Sequence, residues 1–317
     1  MAKPIDDRPR EDLGFFGPGS PTWRVWTHSS SFVGFQRAVT IQSLDPDLST
    51  AVAHAGGVYD RPADRFDRTA HYFLTVAIGD GRAAVEASEW LFRRHAPMTG
   101  TEPLRGTTYA ANDPDSQLWI HVTAWHSMLC CYERFGPGKL SAADEERYWQ
   151  ESAVAAQLQT IRAEDIPRSR DEVREYFERM RPVLCLGTDG ARLFQHLLRP
   201  AIRRDAIAHS LMWRFTGWAT AATMPRWMRI MAGQRPSRVR DAVSITWTRT
   251  VVALAQPGPV QRFALRRLAP RAHAVLVRAT TQPVERNETV TIEETRAALG
   301  LDPVLGRGAP APVPIAD

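Results

Sequence analysis

The sequence predicts an all-α protein, a single helical domain of about ten or more helices. Apolar residues recur every three or four positions along most of its 317 residues, as they do on the buried face of a helix. No stretch of strand length alternates cleanly between apolar and polar residues. Glycine and proline clusters separate the periodic segments, and no internal repeat is visible.

Three parts of the chain differ in composition. Residues 1–19 are polar and rich in glycine and proline, which predicts a flexible N-terminal arm. Residues 20–300 carry the helical patterns and form the predicted domain. Residues 301–317 are rich in proline, alanine and glycine, which predicts a disordered tail.

Helix boundaries can be placed in the first third of the chain. Pro46 and Pro62 each follow an aspartate by one or two residues, and proline fits the first turn of a helix. The glycine-rich segment 79–81 predicts a break between two helices. The second of these carries an apolar stripe that ends at His95, just before Pro97.

The remaining helices follow from apolar runs and capping patterns. Residues 116–134 are the most apolar segment and predict a buried helix. Ser141 and Ser169 are each followed three residues later by an acidic residue, which is typical of a capping box. Over 190–280 the proline positions predict three or four further helices.

The charge pattern argues against a nucleic-acid partner. The net charge is +5, but Lys3 and Lys139 are the only lysines among the 40 basic residues. Basic and acidic residues alternate over 64–68 and 171–175, whereas a polyanion-binding surface needs a stripe of one sign.

The expected location is cytoplasmic. The first twenty residues have no apolar core of a signal peptide, and no apolar run reaches the roughly 18 to 20 residues that span a bilayer. Cys130, Cys131 and Cys185 give no disulfide framework and are expected to be reduced.

Several common functional motifs can be excluded. Residues 73–84 resemble a strand, a G-x-G-x-x-A turn and a helix, but no second strand ending in an acid follows, so a break between two helices is favoured over a dinucleotide site. No Glu-x-x-His pair of the kind that binds iron in di-iron helical bundles occurs. Zinc hydrolases of the His-Glu-x-x-His type need two histidines four residues apart on one helix face, whereas His121 and His126 are five residues apart. No Gly-x-Ser-x-Gly nucleophile elbow occurs.

Two histidines on apolar helix faces remain as candidate ligands. His95 ends its buried stripe, and His121 lies among tryptophans. Arg65 and Thr69 are four residues apart and share a helix face, and Arg68 and the pair 93–94 add cations that could bind carboxylates. Taken alone, either histidine is more simply explained as a hydrogen-bonded core residue.

The order of these residues resembles the oxygenase family of MpaB and the rubber-cleaving latex-clearing protein, over roughly residues 22 to 280. The similar segments are Arg65-Phe-Asp-Arg68-Thr69, His95-Ala-Pro-Met-Thr-Gly100, Tyr109, Asp113-Pro114 and Trp119-Ile-His121. The resemblance implies an all-helical fold with a buried haem b pocket and one histidine as axial ligand.

The resemblance also assigns residue roles. His95 is the expected iron ligand, with His121 as the next candidate. Arg65, Arg68 and Thr69 are expected to lie at the haem, and Arg65 and Thr69 are the expected catalytic residues.

The resemblance implies a haem b-dependent oxygenase that inserts oxygen into, or cleaves, a carbon–carbon double bond. The expected oxidant is dioxygen or peroxide, and the expected substrate is a lipophilic small molecule. Trp119, Trp125 and Tyr72 are expected to line its pocket.

This chain departs from the family pattern at two sequence positions and in its expected location. Rubber-cleaving members carry lysine where this chain has Arg68, and arginine cannot ligate iron, so rubber is a poor substrate prediction. Related sequences usually have a His-Pro pair where Asp45 precedes Pro46, and fungal members are bound to the endoplasmic reticulum. The alternatives are a haem-binding sensor or carrier without catalysis and a cofactor-free helical scaffold.

Overall fold

The structure is a computed structural model that describes residues 9–306. These residues form sixteen α-helices, two short 3₁₀ turns and one small hairpin, so the prediction of an all-α fold is confirmed. The helices are α1 Pro21–Thr27, α2 Ser31–Gln42, α3 Pro46–His54, α4 Gly57–Asp60, α5 Pro62–Ile78, α6 Gly81–His95, α7 Pro114–Phe135, α8 Ala142–Ala156, α9 Arg170–Met180, α10 Thr188–Leu198, α11 Ile207–Thr223, α12 Arg226–Met231, α13 Arg238–Ala255, α14 Gly258–Leu268, α15 Pro270–Thr281 and α16 Ile292–Ala298. The strands are β1 Thr99–Thr101 and β2 Thr108–Ala110.

The predicted helix starts in the first half are confirmed. Helices α3 and α5 begin at Pro46 and Pro62, and the Asp45 side chain accepts a hydrogen bond from the backbone N–H of Leu48. Ser141 and Ser169 cap α8 and α9 in the same way. The reciprocal half of the capping box is absent at α9, because the Glu172 carboxylate accepts from the Arg168 backbone instead.

Residues 73–78 are helical, since they form the last turns of α5. The glycine-rich segment 79–81 is therefore a break between two helices, as predicted. Asp80 caps α6 by accepting from the Ala83 backbone N–H, and so turns the chain back along α5. Helix α6 ends at His95, where the sequence placed its end.

Two parts of the prediction are wrong in detail. Six helices overlap residues 190–280 rather than three or four, because α12 is only six residues long and Pro270 separates α14 from α15. The hairpin of β1 and β2 was not predicted, since strands of three residues are too short to show alternation. Its Gly100 faces the Tyr109 ring, and a Cβ at that glycine would lie 2.6 Å from the ring carbon Cζ.

The core is built on α7, which packs along α2 and contacts α8. Most of its residues are buried, and Trp119 and Trp125 are fully enclosed. Helix α5 packs against α6 on one side and α15 on another. The Asp67 side chain accepts backbone hydrogen bonds from the start of α15, which fixes α5 against that helix.

The described part of the predicted N-terminal arm is packed rather than flexible. Residues 1–8 and 307–317 lie outside the described residues. Arg10, Asp12 and Phe16 are buried, and residues 10–14 make backbone hydrogen bonds with 285–290. Part of the predicted arm is therefore packed onto the domain, because its charged residues have partners there.

Candidate functional site

Helices α5 and α6 run antiparallel. Predicted site residues lie on the sides of these two helices that face each other. Arg65, Thr69 and Tyr72 recur at spacings of four and three residues, so they share one face of α5. The cation of Arg65 acts electrostatically on His95 at the end of α6, and the Tyr72 hydroxyl interacts with Ser88 two turns earlier. The structure thus brings Arg65 and His95 together.

His95 is neutral at physiological pH. Burial lowers the pKa of its imidazole to about 4, and the positive charges of Arg65 and Arg94 act in the same direction. The side chain is half-buried and makes no hydrogen bond with any residue in 9–306. A neutral imidazole with a free ring nitrogen is the form that binds a metal ion.

The C-terminal turn of α6 is fixed from outside the helix. The Asn112 side-chain amide donates to the Phe92 carbonyl at 2.9 Å, and the Asn112 carbonyl accepts from the Thr160 hydroxyl at 2.7 Å. These bonds satisfy one terminal carbonyl and link the turn that carries His95 to the turn that follows α8. Asn112 is a positioning residue that sequence reasoning missed, because no local pattern marks it.

Arg65 is a cation without an anionic partner among the described residues. It is half-buried, and both desolvation and the neighbouring Arg68 lower its pKa. Arg68 pairs with Asp64 at 3.2 Å through one terminal nitrogen, while its buried Nε has no partner in the described chain. Together these two side chains form a site that can accept a carboxylate.

Thr69 is already hydrogen-bonded within its own helix. Its hydroxyl donates to the Arg65 carbonyl oxygen at 2.9 Å, a bond typical of threonine inside a helix. The hydroxyl oxygen can therefore accept a further hydrogen bond, but it must rotate away from this carbonyl before it can donate one.

Tyr72 extends the site toward α8. Burial raises the pKa of its hydroxyl to about 12, while Ser88 and Gln159 act in the opposite direction, so the phenol stays protonated. The Tyr72 hydroxyl and the Gln159 Oε1 atom are buried without a well-formed hydrogen-bond partner in the described part of the chain. Ser88 belongs to the α6 stripe visible in the sequence, whereas nothing in the sequence indicates Gln159.

His121 occupies a different environment. Its side chain is 1% exposed, and its Nε2 atom lies 3.1 Å from the Ser152 hydroxyl of α8. Burial lowers the pKa of its imidazole to about 3, and the hydrogen bond with Ser152 offsets only part of this shift. The Nδ1 atom has no partner among residues 9–306.

A chain of aromatic contacts connects His121 to the α5 face. The His121 ring lies 5.6 Å from Trp125, which lies 5.3 Å from Trp26. Trp26 stacks on Phe73, the neighbour of Tyr72, at 5.8 Å. No described contact joins His121 directly to the residues at Arg65 and His95, so the predicted site residues fall into two groups.

Trp119 lies apart from both groups. Its ring contacts Tyr176 and Phe177 of α9, and its indole N–H donates to the Gln42 carbonyl. Trp125 adjoins Tyr72 only through Trp26 and Phe73. The expected grouping of Trp119 with Tyr72 is not seen among the ring contacts of the described residues.

A cavity of about 330 Å³ lies elsewhere, between the N-terminal segment, the start of α6 and α16. Charged side chains such as Glu11, Arg82 and Arg286 line it, and none of the predicted site residues does. Such a polar lining does not suit a lipophilic ligand.

A bare metal ion has no evident site in residues 9–306, where no group of three or more His, Cys, Asp or Glu side chains is suitably arranged. A porphyrin differs because it supplies four nitrogens, so that a single histidine is enough. His95 can supply that histidine, and the cations at Arg65 and Arg68 can bind the carboxylates that a haem carries. None of the helices in this part of the chain has both the length and the hydropathy to cross a membrane.

Comparison with known proteins gives one match. The family model described as "ER-bound oxygenase mpaB/B'/Rubber oxygenase, catalytic domain" matches residues 23–256, well over half of the chain. This range contains most of α1, all of α2 to α13 and every predicted site residue. Searches of the curated proteins and of the solved structures gave no match.

Proposed function

Because the chain belongs to this family of oxygenase catalytic domains, we propose that it is a haem b-dependent oxygenase that uses the facing sides of α5 and α6. The family supports oxygenase chemistry; the haem, the residue roles and the substrate are our proposal. The observation that carries it is the pairing of a neutral histidine with an arginine that has no carboxylate partner among the described residues.

His95 is the residue that would hold the haem iron. Its low pKa keeps a ring lone pair available throughout the physiological range, and no described residue competes for it. Asn112 fixes the last turn of α6 and so limits the positions that this imidazole can take. When bound, haem b supplies an iron that activates dioxygen or peroxide, chemistry that no side chain provides.

Arg65 and Arg68 are the proposed partners of the haem carboxylates. A half-buried guanidinium without an anion is costly, and a propionate would neutralise it through charge-assisted hydrogen bonds. The buried Nε of Arg68, which has no partner in the described part of the chain, offers a second donor on the same helix. The same interactions would orient the cofactor relative to α5.

Thr69 and Tyr72 are proposed to act on the substrate side of the pocket. The Thr69 hydroxyl oxygen can accept a hydrogen bond as it stands, and the hydroxyl can donate one after rotating away from the Arg65 carbonyl. The Tyr72 hydroxyl stays protonated and lacks a well-formed partner among the described residues, so it can donate to a polar group of the substrate. Both side chains are in positions to hold protons rather than to act as nucleophiles.

The proposed reaction is oxygen insertion into, or cleavage of, a carbon–carbon double bond of a lipophilic small molecule. In cleavage by dioxygen, the double bond breaks and each of its carbons receives one oxygen atom as a carbonyl. No external reductant is then needed, because the four electrons that reduce dioxygen come from the alkene. Rubber stays an unfavoured substrate because of Arg68, and a cytoplasmic location stays a prediction.

The test uses haemin-reconstituted full-length protein, the isoprenoid alcohol farnesol and ¹⁸O-labelled dioxygen, with products analysed by mass spectrometry. Cleavage predicts two carbonyl fragments that each carry one labelled oxygen atom. Insertion balances with peroxide, which gives one oxygen atom to the substrate and leaves the other as water, so ¹⁸O-labelled hydrogen peroxide replaces dioxygen in a parallel reaction that predicts a labelled epoxide or alcohol. Protein that binds haem but yields no labelled product from farnesol or longer isoprenoids would favour a sensor or carrier. Free haemin at the same concentration, without protein, is the control for haem-catalysed background oxidation.

A further inference from the structure

Helix α13 carries an apolar stripe that faces away from the protein. Val239, Val243, Trp247 and Leu254 are 76%, 65%, 58% and 69% exposed. Their spacings of four, four and seven residues place them on one side of the helix. Thr248 is buried and lies on the opposite side, so α13 has one face in the protein and a second apolar face outside it.

Helix α11 continues this surface. The Phe215 ring of α11 contacts the Trp247 ring of α13 at 6.1 Å. The Arg240 guanidinium of α13 lies 4.6 Å above the ring centre of Trp218, which α11 exposes together with Leu211. We name the exposed side chains of Leu211, Trp218, Val239, Val243, Trp247 and Leu254 the α11–α13 face.

The segment of the chain that carries this face is strongly one-sided in charge. Residues 206–270 contain ten arginines, no lysine, no glutamate and only one aspartate, a surplus of nine positive charges. The whole chain carries +5, so the remainder is net negative by four. The single acid, Asp241, is paired with Arg229 at 2.7 Å, and no described carboxylate pairs with the other nine arginines.

We propose that the α11–α13 face binds the surface of an anionic lipid bilayer. Exposed tryptophan, valine and leucine suit insertion at the level of the lipid headgroups, and arginines without acidic partners suit the phosphate and carboxylate groups around them. A second copy of the chain would bring two strongly positive faces together and so repel. Nucleic acid would satisfy the arginines but leave the apolar stripe in water.

The proposed contact is peripheral. It needs no membrane-spanning helix, because an amphipathic surface lies in the plane of the interface. It is also independent of the proposed haem chemistry, since none of its residues belongs to the α5–α6 site. A bilayer would nevertheless supply a lipophilic substrate directly to an enzyme held on its surface.

The test is flotation of the full-length protein with vesicles in a density gradient. Vesicles of phosphatidylcholine mixed with phosphatidylserine are compared with vesicles of phosphatidylcholine alone. We expect binding to the mixed vesicles, and we expect it to weaken as the salt concentration rises. Failure to float with the mixed vesicles at low salt would overturn the proposal.

Two double variants separate the apolar and the electrostatic contributions. Val243→Glu with Leu254→Glu should abolish flotation, because two carboxylates would enter the headgroup region. Arg238→Gln with Arg249→Gln should weaken binding about tenfold or more, as expected for two lost basic residues. All four side chains are exposed, so the substitutions should leave the fold intact and circular dichroism should show unchanged helix content.

Matched controls lie outside the face. Leu104→Glu with Val183→Glu adds two carboxylates at exposed apolar positions, and Arg134→Gln with Arg168→Gln removes two charges elsewhere. Both should float like the wild type. Equal losses in these controls would overturn the proposal, because net charge alone would then explain the binding.

Other occupants would give distinct results, and each would overturn the proposal. Binding to a single-stranded RNA oligonucleotide in place of vesicles would identify a nucleic-acid surface. Self-association in analytical ultracentrifugation that the Val243→Glu, Leu254→Glu variant removes, without flotation of the wild type, would identify a second copy of the chain.

Discussion

The surroundings of His95 and of His121 differ in one respect that matters for function. Both imidazoles are kept neutral by burial, with pKa values of about 4 and about 3. His121 is enclosed in the core and hydrogen-bonded to Ser152, whereas His95 is half-buried beside Arg65, which has no ion-pair partner in residues 9–306. A low pKa therefore does not by itself identify a ligand, because desolvation lowers it equally at structural histidines. What distinguishes the first site is the adjacent cation of Arg65, which has no carboxylate partner among the described residues.

The largest expected difference between the two histidines is in haem binding. His95→Ala should abolish stoichiometric haem binding, because the proposed axial ligand is removed. His121→Ala should keep the haem and lose about 1 to 3 kcal/mol of unfolding free energy, because it leaves the Ser152 hydroxyl without its partner. Haem content and urea unfolding of both variants provide the measurement. The reverse pattern would make His121 the ligand.

Substitution of Thr69 tests whether the α5 face takes part in the reaction or only binds the haem. Thr69→Ala should retain haem and lower turnover about 100-fold or more, the usual effect of removing one preorganised donor. Thr69→Ser keeps the hydroxyl and should stay within a few-fold of the wild type. The rates of labelled product formation give the comparison, and an active alanine variant would reject a role for this hydroxyl.

Arg65 and Arg94 both act electrostatically on His95, yet only Arg65 is half-buried within the site. Arg65→Gln should weaken haemin binding by about 10- to 100-fold, the equivalent of losing a charge-assisted hydrogen bond of about 1.5 to 3 kcal/mol. Arg94→Gln, at an exposed position, should change the affinity little. Haemin titrations of the two variants measure this, and equal effects would contradict a specific carboxylate contact at Arg65.

The acid stability of the apoprotein should separate the same two histidines by their pH windows. A histidine whose folded pKa lies below 6.5 binds a proton more readily when unfolded, so stability rises with pH between the two values and is flat above 6.5. His121→Gln should reduce the slope of unfolding free energy against pH by up to about 1.4 kcal/mol per pH unit, between pH 6.5 and about pH 3. His95→Gln should reduce the same slope only between pH 6.5 and about pH 4. The measurement is urea unfolding of both variants and the wild type at a series of pH values. Slopes equal to that of the wild type in both variants would contradict the burial of neutral imidazoles.

The fold could be predicted from the sequence because its signals are local. Pro46, Pro62 and the break at 79–81 each set a helix boundary through backbone geometry, and the apolar stripe of α6 ended where the helix ends. The short α12 and the β1–β2 hairpin were missed, since a few residues show no periodicity. The packed segment 9–19 was missed because its partners lie about 270 residues away.

The candidate site could be predicted only in part. The spacing of Arg65 and Thr69 placed them on one helix face, and the antiparallel turn at Asp80 then brought Arg65 to His95. Gln159 and Asn112 lie in the turns after α8 and before α7, so no spacing in the sequence relates them to the site. The separation of His121 from His95 likewise depends on tertiary packing.

The most direct test of the proposed site is a haemin titration of the purified wild-type protein, followed in the Soret region and repeated after reduction with dithionite and addition of carbon monoxide. We predict one haem per chain and a shift of the reduced band with carbon monoxide, because one axial position should stay open. Absence of a haem b spectrum after haemin addition would contradict the assignment of the α5–α6 face as a haem site. A reduced band that does not respond to carbon monoxide would contradict the proposed oxygenase chemistry.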